Sequence, residues 1–178
     1  MGLRISLSVS EIAFKKEVPV MLLGKKRKIG RRIEEISVGE KLSVTEKVED
    51  KDLLLYLGLT DDANPLYIQH DYASQTPFKK PIVPSIMLTG MITSAISKYL
   101  PGPGTHILSQ EIEFSKPVYH YAMIELLFEV TDVNLEKHTV TIHVTAVNEM
   151  KEEVIKGKLI VCPPHRLEDI HGTALDNF

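Results

Sequence analysis

The sequence contains one cysteine, no tryptophan and no long hydrophobic run. Because Cys162 has no partner thiol in the chain, no intrachain disulfide can form, which is typical of a protein from the reducing cytoplasm. No apolar segment approaches the roughly 18–20 residues that cross a bilayer. Residues 3–9 alternate apolar and polar side chains, unlike the core of a signal peptide. We therefore predict a cytoplasmic protein with no membrane partner.

Neither sign of charge dominates the chain. It has 21 Lys and Arg against 24 Asp and Glu, for a net charge of −3, so its overall charge does not favour binding to nucleic acid. Six positive charges nevertheless fall within eight residues: Lys25, Lys26, Arg27, Lys28, Arg31 and Arg32. This basic cluster is either a site for anions such as nucleotide phosphates or a solvated arm. We favour the arm, because no recognition motif for nucleic acid accompanies the cluster.

The length and composition predict one folded domain with shorter segments at its ends. A chain of 178 residues with 43% hydrophobic residues can bury a substantial core. The hydrophobic pattern becomes regular after about residue 36. We therefore divide the chain into an N-terminal arm (residues 1–36), a domain (residues 37–163) and a C-terminal tail (residues 164–178).

The first half of the domain predicts one strand and three helices. Alternation over residues 41–48 is typical of a strand. Capping residues then predict the helix ends: Asp50 starts a helix that Gly58 ends, Asp71 starts a short helical turn, and Ser85 caps a helix over residues 86–100. The last helix is apolar nearly all round, which indicates burial. Its small residues Gly90, Ser94 and Ser97 favour close approach of another backbone.

The second half predicts four consecutive strands. Apolar and polar residues alternate over residues 108–114, 124–130, 140–146 and 155–161, with polar turns between neighbours, as in an antiparallel sheet with one buried face. A long buried helix followed by such a meander indicates an α+β protein with the hot-dog fold, in which the sheet wraps around the helix.

Residues 61–67, Asp-Asp-Ala-Asn-Pro-Leu-Tyr, are the most informative stretch. They are followed by Tyr72-Ala73, by Pro-Ile-Val-Pro-Ser-Ile at 81–86, and by Phe-Ser-Lys-Pro-Val at 114–118. In order and spacing these blocks resemble the MaoC-like hot-dog proteins, in particular the (R)-specific enoyl-CoA hydratases. In that family, Gly-Asp-x-Asn-Pro-Leu-His is followed by similar blocks. The resemblance extends from residue 54 to residue 161 and implies the same fold.

The resemblance also implies an activity: hydration of a 2-enoyl thioester, or the reverse dehydration, on coenzyme A or an acyl carrier protein. Such a reaction needs a base, a positioned water and donors for the thioester oxygen. On the matching positions, Asp62 is the base, and Asn64 and Tyr67 hold the water.

The resemblance places substrate binding on the long helix. Ser85 is at its start, where free backbone N–H groups can polarise the thioester oxygen. Ile86 follows it in the same matched block. Thr93 supplies a hydroxyl further along, where the hydratases often have one.

Two departures from the family pattern bear on activity. Tyr67 stands where the family has a histidine, and Pro84 replaces a second histidine before the helix. With an ordinary pKa of about 10, a tyrosine is a poor base at neutral pH. Two hypotheses therefore remain open: a diverged hydratase or dehydratase that relies on Asp62, and a catalytically silent protein that binds acyl-CoA.

Other chemistries have less support. Hot-dog thioesterases commonly carry a carboxylate on the central helix, whereas residues 73–109 contain no Asp or Glu. The seven histidines have no paired spacing and Cys162 has no partner thiol, so we predict no metal site. No glycine-rich phosphate loop is present, and we predict no cofactor.

The fold predicts self-association. A single hot-dog sheet leaves edge strands unpaired, and family members pair into dimers. We expect a homodimer, or, if the chain is silent, a hetero-oligomer with an active hydratase.

Overall fold

The computed structural model describes residues 29–165, which form an antiparallel sheet with helices on one side. Residues 1–28 and 166–178 lie outside the described residues, and with them most of the basic cluster and of the C-terminal tail. The elements after a 3-10 turn at Ile33–Glu35 are β1 (Lys41–Lys47), α1 (Asp50–Thr60), α2 (Pro65–Ile68), α3 (His70–Ser74), α4 (Ser85–Lys98), β2 (His106–Phe114), β3 (Met123–Asn134), β4 (Thr139–Val147) and β5 (Glu153–Cys162). The predicted α+β architecture is confirmed.

The five strands lie in the order β1-β3-β4-β5-β2, with every neighbouring pair antiparallel. The consecutive strands β3, β4 and β5 form a meander, while β1 and β2 are the edges. Strands β3 and β4 turn their predicted apolar faces into the core, where Phe128 is 1% exposed and Ile142 is fully buried. These two strands follow the predicted alternation, with one face buried and the other more exposed.

Helix α4 packs against this inner face through one stripe. Its buried residues are Leu88, Ile92, Ala95 and Ile96, which follow the helical spacing of a single face. The prediction that the helix is buried nearly all round is wrong for the single chain, because Ile86 is 55% exposed. Nothing lies within 4 Å of the position a Cβ would take at Gly90, so no other described segment approaches the helix closely at that residue.

Strand β2 departs from the predicted alternation. Its register with β5 shifts between Ile107 and Ser109, so the residues that pack against the core are Ile107 and Ile112. Leu108, expected on the same face as Ile112, is 50% exposed. A bulge inserts one unpaired residue and thereby exchanges the two faces of the strand.

Helix α1 also ends later than predicted. It passes Gly58 and finishes at Thr60, and Asp61 adopts the left-handed conformation at the C-cap (φ 54°). The other caps are also displaced: Asp50 and Ser85 are the first helical residues after the N-caps Glu49 and Pro84, and the predicted cap Asp71 lies inside α3, whose N-cap is Gln69. Shifts of this size are ordinary at helix ends, but the two extra residues of α1 determine where the chain leaves the helix toward Asp62.

The structure describes only part of the segments that flank the domain. The predicted division at residue 36 stays a prediction, although Ile33 and Ile36 both lie in the core. Of the basic cluster, Arg31 forms an ion pair with Glu40 (2.6 Å) and Arg32 forms one with Glu35 (3.2 Å). No helix within residues 29–165 has the length and hydropathy needed to cross a membrane.

Candidate functional site

The end of α1 delivers Asp62 to the site. The Asp61 N–H donates to the Leu57 carbonyl (2.9 Å), and the Thr60 hydroxyl donates to the Tyr56 carbonyl (2.8 Å). The Thr60 hydroxyl oxygen also accepts the Asp62 N–H (3.3 Å). These bonds close the helix and turn the chain back, so that Asp62 lies against the last turn of α1.

Both oxygens of the half-buried Asp62 carboxylate have partners. Oδ2 accepts the hydroxyl of Tyr56, and Oδ1 accepts the backbone N–H of Asn64 (3.3 Å). The hydrogen bond to Asp62 raises the pKa of Tyr56 above its usual value, and burial raises that pKa further. Tyr56 therefore keeps its proton at neutral pH and acts as a donor to the carboxylate.

Asn64 positions the next residues of the loop. Its side-chain oxygen accepts the Leu66 N–H (3.0 Å) and caps α2, while its backbone carbonyl accepts the Tyr67 N–H (2.9 Å). Proline at the first helical position suits this start, because that position needs no N–H donor. With its side-chain oxygen in use, Asn64 retains its NH₂ group as a donor.

Tyr67 connects this loop to a groove. Its ring meets that of Tyr56 edge-on, with centroids 6.4 Å apart and planes at 76°. Tyr67 and Ser85 both line a groove of about 330 Å³, together with Phe78, Ile82, Val83, Leu88, Phe114, Ser115, Lys116, Pro117 and Val118. Most of the lining residues are apolar, while hydroxyl groups and one lysine give the groove a substantial polar surface as well.

The start of α4 gives the groove a possible anion-binding edge. Pro84 is the N-cap, and its carbonyl accepts the N–H groups of Met87 (3.0 Å) and Leu88 (3.4 Å). The N–H groups of Ser85 and Ile86 have no acceptor within the described part of the chain. Free N–H groups at a helix start carry partial positive charge and suit a developing oxyanion.

The remaining predicted binding residues lie away from the groove wall. Ile86 is largely exposed beside Ser85. Thr93 is eight residues along α4, roughly 12 Å from the helix start, and its hydroxyl donates to the Gly90 carbonyl (3.0 Å). Neither residue lines the groove, and their role in substrate binding stays a prediction.

Sequence reasoning missed Tyr56. The structure brings Asp62 next to Tyr67 through this residue, and no direct hydrogen bond joins Asp62 to Tyr67 among those that the described residues form. The available signal was a tyrosine among leucines in α1, since a buried tyrosine hydroxyl usually requires a partner.

A larger depression of about 630 Å³ lies on the outer face of the sheet, across β2, β4 and β5. Its wall carries cross-strand ion pairs, Lys156–Glu113 (3.2 Å) and Lys158–Glu111 (3.6 Å). An open surface lined by such pairs offers no enclosed apolar volume for a ligand. We therefore assign the candidate site to the groove beside Tyr67.

An antiparallel sheet packed on a central helix defines a hot-dog protein. The model of the MaoC like domain matches residues 33–154, and the chain belongs to this family. It is 32% identical to an (R)-specific enoyl-CoA hydratase of Rhodospirillum rubrum over 75% of this chain and 92% of the relative. It is 27% identical to a 3-hydroxybutyryl-CoA dehydratase of Methylorubrum extorquens over 76% of this chain and 85% of the relative.

A solved structure of a related hydratase has the same fold. An R-hydratase from Pseudomonas aeruginosa in the unliganded form superposes with a TM-score of 0.71 at 28% identity, covering 80% of this chain and 95% of the other. The predicted hot-dog fold and the predicted family are thus both confirmed.

Proposed function

We propose that the protein binds an acyl thioester in the Tyr67–Ser85 groove and hydrates a 2-enoyl thioester, or dehydrates its 3-hydroxy partner. The acyl carrier is coenzyme A or an acyl carrier protein. Membership of the MaoC-like family supports this reaction, and so do the named activities of the two relatives. The observation that carries the proposal is the contact of the Asp62–Tyr56 pair with Tyr67 at the wall of the groove.

Each residue then has a defined role. Asp62 takes a proton from water as the water oxygen adds to the β-carbon, and it then returns that proton to the α-carbon, so that H and OH add across the double bond and the carboxylate is regenerated. The hydroxyl of Tyr67 and the NH₂ group of Asn64 donate hydrogen bonds to that water. The Ser85 N–H polarises the thioester oxygen, where negative charge develops.

The test uses purified full-length protein with crotonyl-CoA, following the loss of enoyl absorbance. We expect slow turnover that falls to background in Asp62→Asn, which keeps the shape of the side chain and removes its charge. Tyr99→Phe, an exposed change away from the groove, is the matched control. No turnover above buffer, or turnover unaltered by Asp62→Asn, would refute the catalytic role.

A second candidate is a catalytically silent protein that binds acyl-CoA as a sensor or as a subunit of a hydratase complex. One observation favours it: none of the six histidines within residues 29–165 lines the groove. Isothermal titration with an acyl-CoA that shows binding without turnover would support this candidate.

Tyr67→His distinguishes the two candidates. A histidine in this place supplies a base of suitable pKa, and general acid–base groups contribute about 10²–10⁴-fold in rate. A gain of that size shows that the groove and Asp62 are otherwise competent. Unchanged inactivity together with intact acyl-CoA binding indicates a silent protein.

We further propose that the chain forms a homodimer in the cytoplasm. Both edge strands have one unpaired side, and exposed apolar residues lie on β2 (Leu108) and α4 (Ile86). Unpaired edges and apolar surface favour association, and the free thiol of Cys162 suits a reducing compartment. Light scattering that gives the mass of one chain would exclude the homodimer. Co-purification with an active hydratase would instead indicate a hetero-oligomer.

A further inference from the structure

We propose that His138, Cys162 and His165 form a binding site for a zinc ion at the end of the sheet remote from the groove. One ligating atom from each of the three side chains lies within 4.8 Å of the others. The Cys162 Sγ and the His165 Nε2 are 3.6 Å apart. The two imidazole rings lie nearly parallel, with centroids 4.0 Å apart and planes at 13°.

These separations suit a tetrahedral ion. Zinc bonds of about 2.3 Å to sulfur and 2.0–2.1 Å to nitrogen place two such ligands about 3.6 Å apart across a tetrahedral angle. The Cys162–His165 pair already has this spacing. The other separations are within 4.8 Å, and because the two imidazole rings are stacked, one of them must rotate for its lone pair to point at an ion shared with the other ligands. Cys162 and His138 are half-buried and His165 is exposed, so the cluster is reachable from solvent.

A backbone carbonyl determines which ring nitrogen of His138 carries the proton. Its Nε2 lies 3.1 Å from the Pro163 carbonyl oxygen. An Nε2–H that donates to this oxygen leaves the lone pair on Nδ1 for an ion. Metal-binding histidines nearly always donate their other N–H to a carbonyl or a carboxylate. Because Pro163 follows Cys162, this bond also holds His138 against the segment that carries the other two ligands.

The fold explains why residues far apart in sequence meet. His138 ends the turn between β3 and β4 in the left-handed conformation (φ 52°), and Cys162 is the last residue of β5. The rigid pair Pro163-Pro164 follows, and both prolines are buried. His106 lies opposite Cys162 in the register of β2 and β5. Cross-strand partners share a face of the sheet, but His106 is not among the residues whose ligating atoms lie within 4.8 Å of one another, which leaves the fourth coordination position for solvent.

The ligand set favours a particular class of ion. A thiolate with imidazoles selects zinc or copper(I) over magnesium or calcium, which prefer oxygen ligands. The site is structural, since His106 and the groove residue Phe114 are at opposite ends of β2. Nine extended residues separate those ends by roughly 26 Å. A bound ion there would tie the segment after β5 to the β3–β4 turn.

The test uses untagged full-length protein and cobalt(II) as a spectroscopic probe for zinc. We expect one equivalent of cobalt to give a thiolate charge-transfer absorption that zinc abolishes by displacement. Cys162→Ser should remove this absorption and weaken zinc binding at least about tenfold, a loss expected when even an outer-shell partner of a metal is removed. His138→Asn should weaken binding similarly, and asparagine tolerates the left-handed backbone there. Circular dichroism verifies that each variant is folded.

The matched control is His143→Ala, an exposed histidine on β4 outside the cluster, which should bind cobalt and zinc like the parent. Zinc should also raise the Tm of the parent and of this control, but not that of Cys162→Ser. Absence of the charge-transfer absorption would overturn the proposal. So would binding that survives Cys162→Ser and disappears when residues 166–178 are removed.

Discussion

The hydrogen bond from Tyr56 to Asp62 should stabilise the fold, and its contribution can be measured apart from the other contacts of the two residues. Tyr56→Phe removes the hydroxyl but keeps the ring that meets Tyr67 edge-on. Hydrogen bonds to charged groups contribute about 1.5–3 kcal/mol. Both side chains are half-buried, so solvent reduces the effect toward the lower end, about 1.5 kcal/mol.

The measurement is urea unfolding of the parent, Tyr56→Phe, Asp62→Ala and the double variant, since alanine has no oxygen to accept the Tyr56 hydroxyl. The coupling free energy from this cycle isolates the pair from the other effects of each change. A loss of about 1.5 kcal/mol lowers the urea midpoint by roughly 0.5–1.5 M for slopes of about 1–3 kcal/mol per M. Tyr99→Phe, an exposed tyrosine, should change stability by less than about 0.5 kcal/mol.

Because the pKa of Tyr56 is raised in the folded protein, its contribution to folding stability should depend on pH in a predictable direction. The folded protein holds this proton more tightly than the unfolded chain does. The contribution of Tyr56 to stability is therefore complete below its unfolded pKa of about 10 and is lost as pH rises through the folded pKa. The parent and Tyr56→Phe should differ most below pH 10 and converge above it. A coupling near zero, or a difference that grows above pH 10, would refute the assignment.

Two further changes test the packing. Phe128→Ala leaves a cavity on the buried face of β3, where Phe128 is 1% exposed, and should lower the free energy of unfolding in urea by about 3–5 kcal/mol. Its neighbour Leu127 is 40% exposed, so Leu127→Ala should cost far less, and equal losses would contradict the assigned faces. Gly157→Ala should destabilise the β2 edge, because a Cβ there would lie 2.6 Å from the Glu111 carbonyl oxygen. Amides of β2 should then exchange hydrogen faster, and unchanged exchange would argue against this close approach.

The sequence predicted the parts of the fold that depend on local periodicity. Strands β3 and β4 alternate regularly and are paired on both sides, so their inward faces could be read directly. The face of β2 could not, because the bulge between Ile107 and Ser109 exists only in its pairing with β5. The end of α1 was missed for a related reason. Gly58 is a common stop signal, but the bonds that Thr60 and Asp61 make carried the helix further.

The candidate site was predicted in part. The loop at residues 61–67 identified Asp62, Asn64 and Tyr67, and Tyr67 and Ser85 do meet at one groove. The role of Tyr56 required the turn at Asp61, which brings two residues six positions apart into hydrogen-bond contact. The proximity of His138 to Cys162 likewise could not be predicted from their positions in the sequence, because it results from the register of the paired strands.

Acyl-CoA binding and catalytic turnover should depend on different residues of the site. Among residues 29–165, no histidine lines the groove wall, and the hydroxyls near it belong to tyrosine and serine, which donate hydrogen bonds but are poor bases at neutral pH. In the proposed reaction the proton leaves water to the Asp62 carboxylate, which already accepts bonds from Tyr56 and Asn64. The apolar wall that would hold an acyl chain does not include Asp62. Asp62→Asn should consequently abolish turnover while acyl-CoA affinity stays within about threefold of the parent, a difference of less than about 0.7 kcal/mol. Parallel loss of both would mean that Asp62 shapes the groove rather than the chemistry.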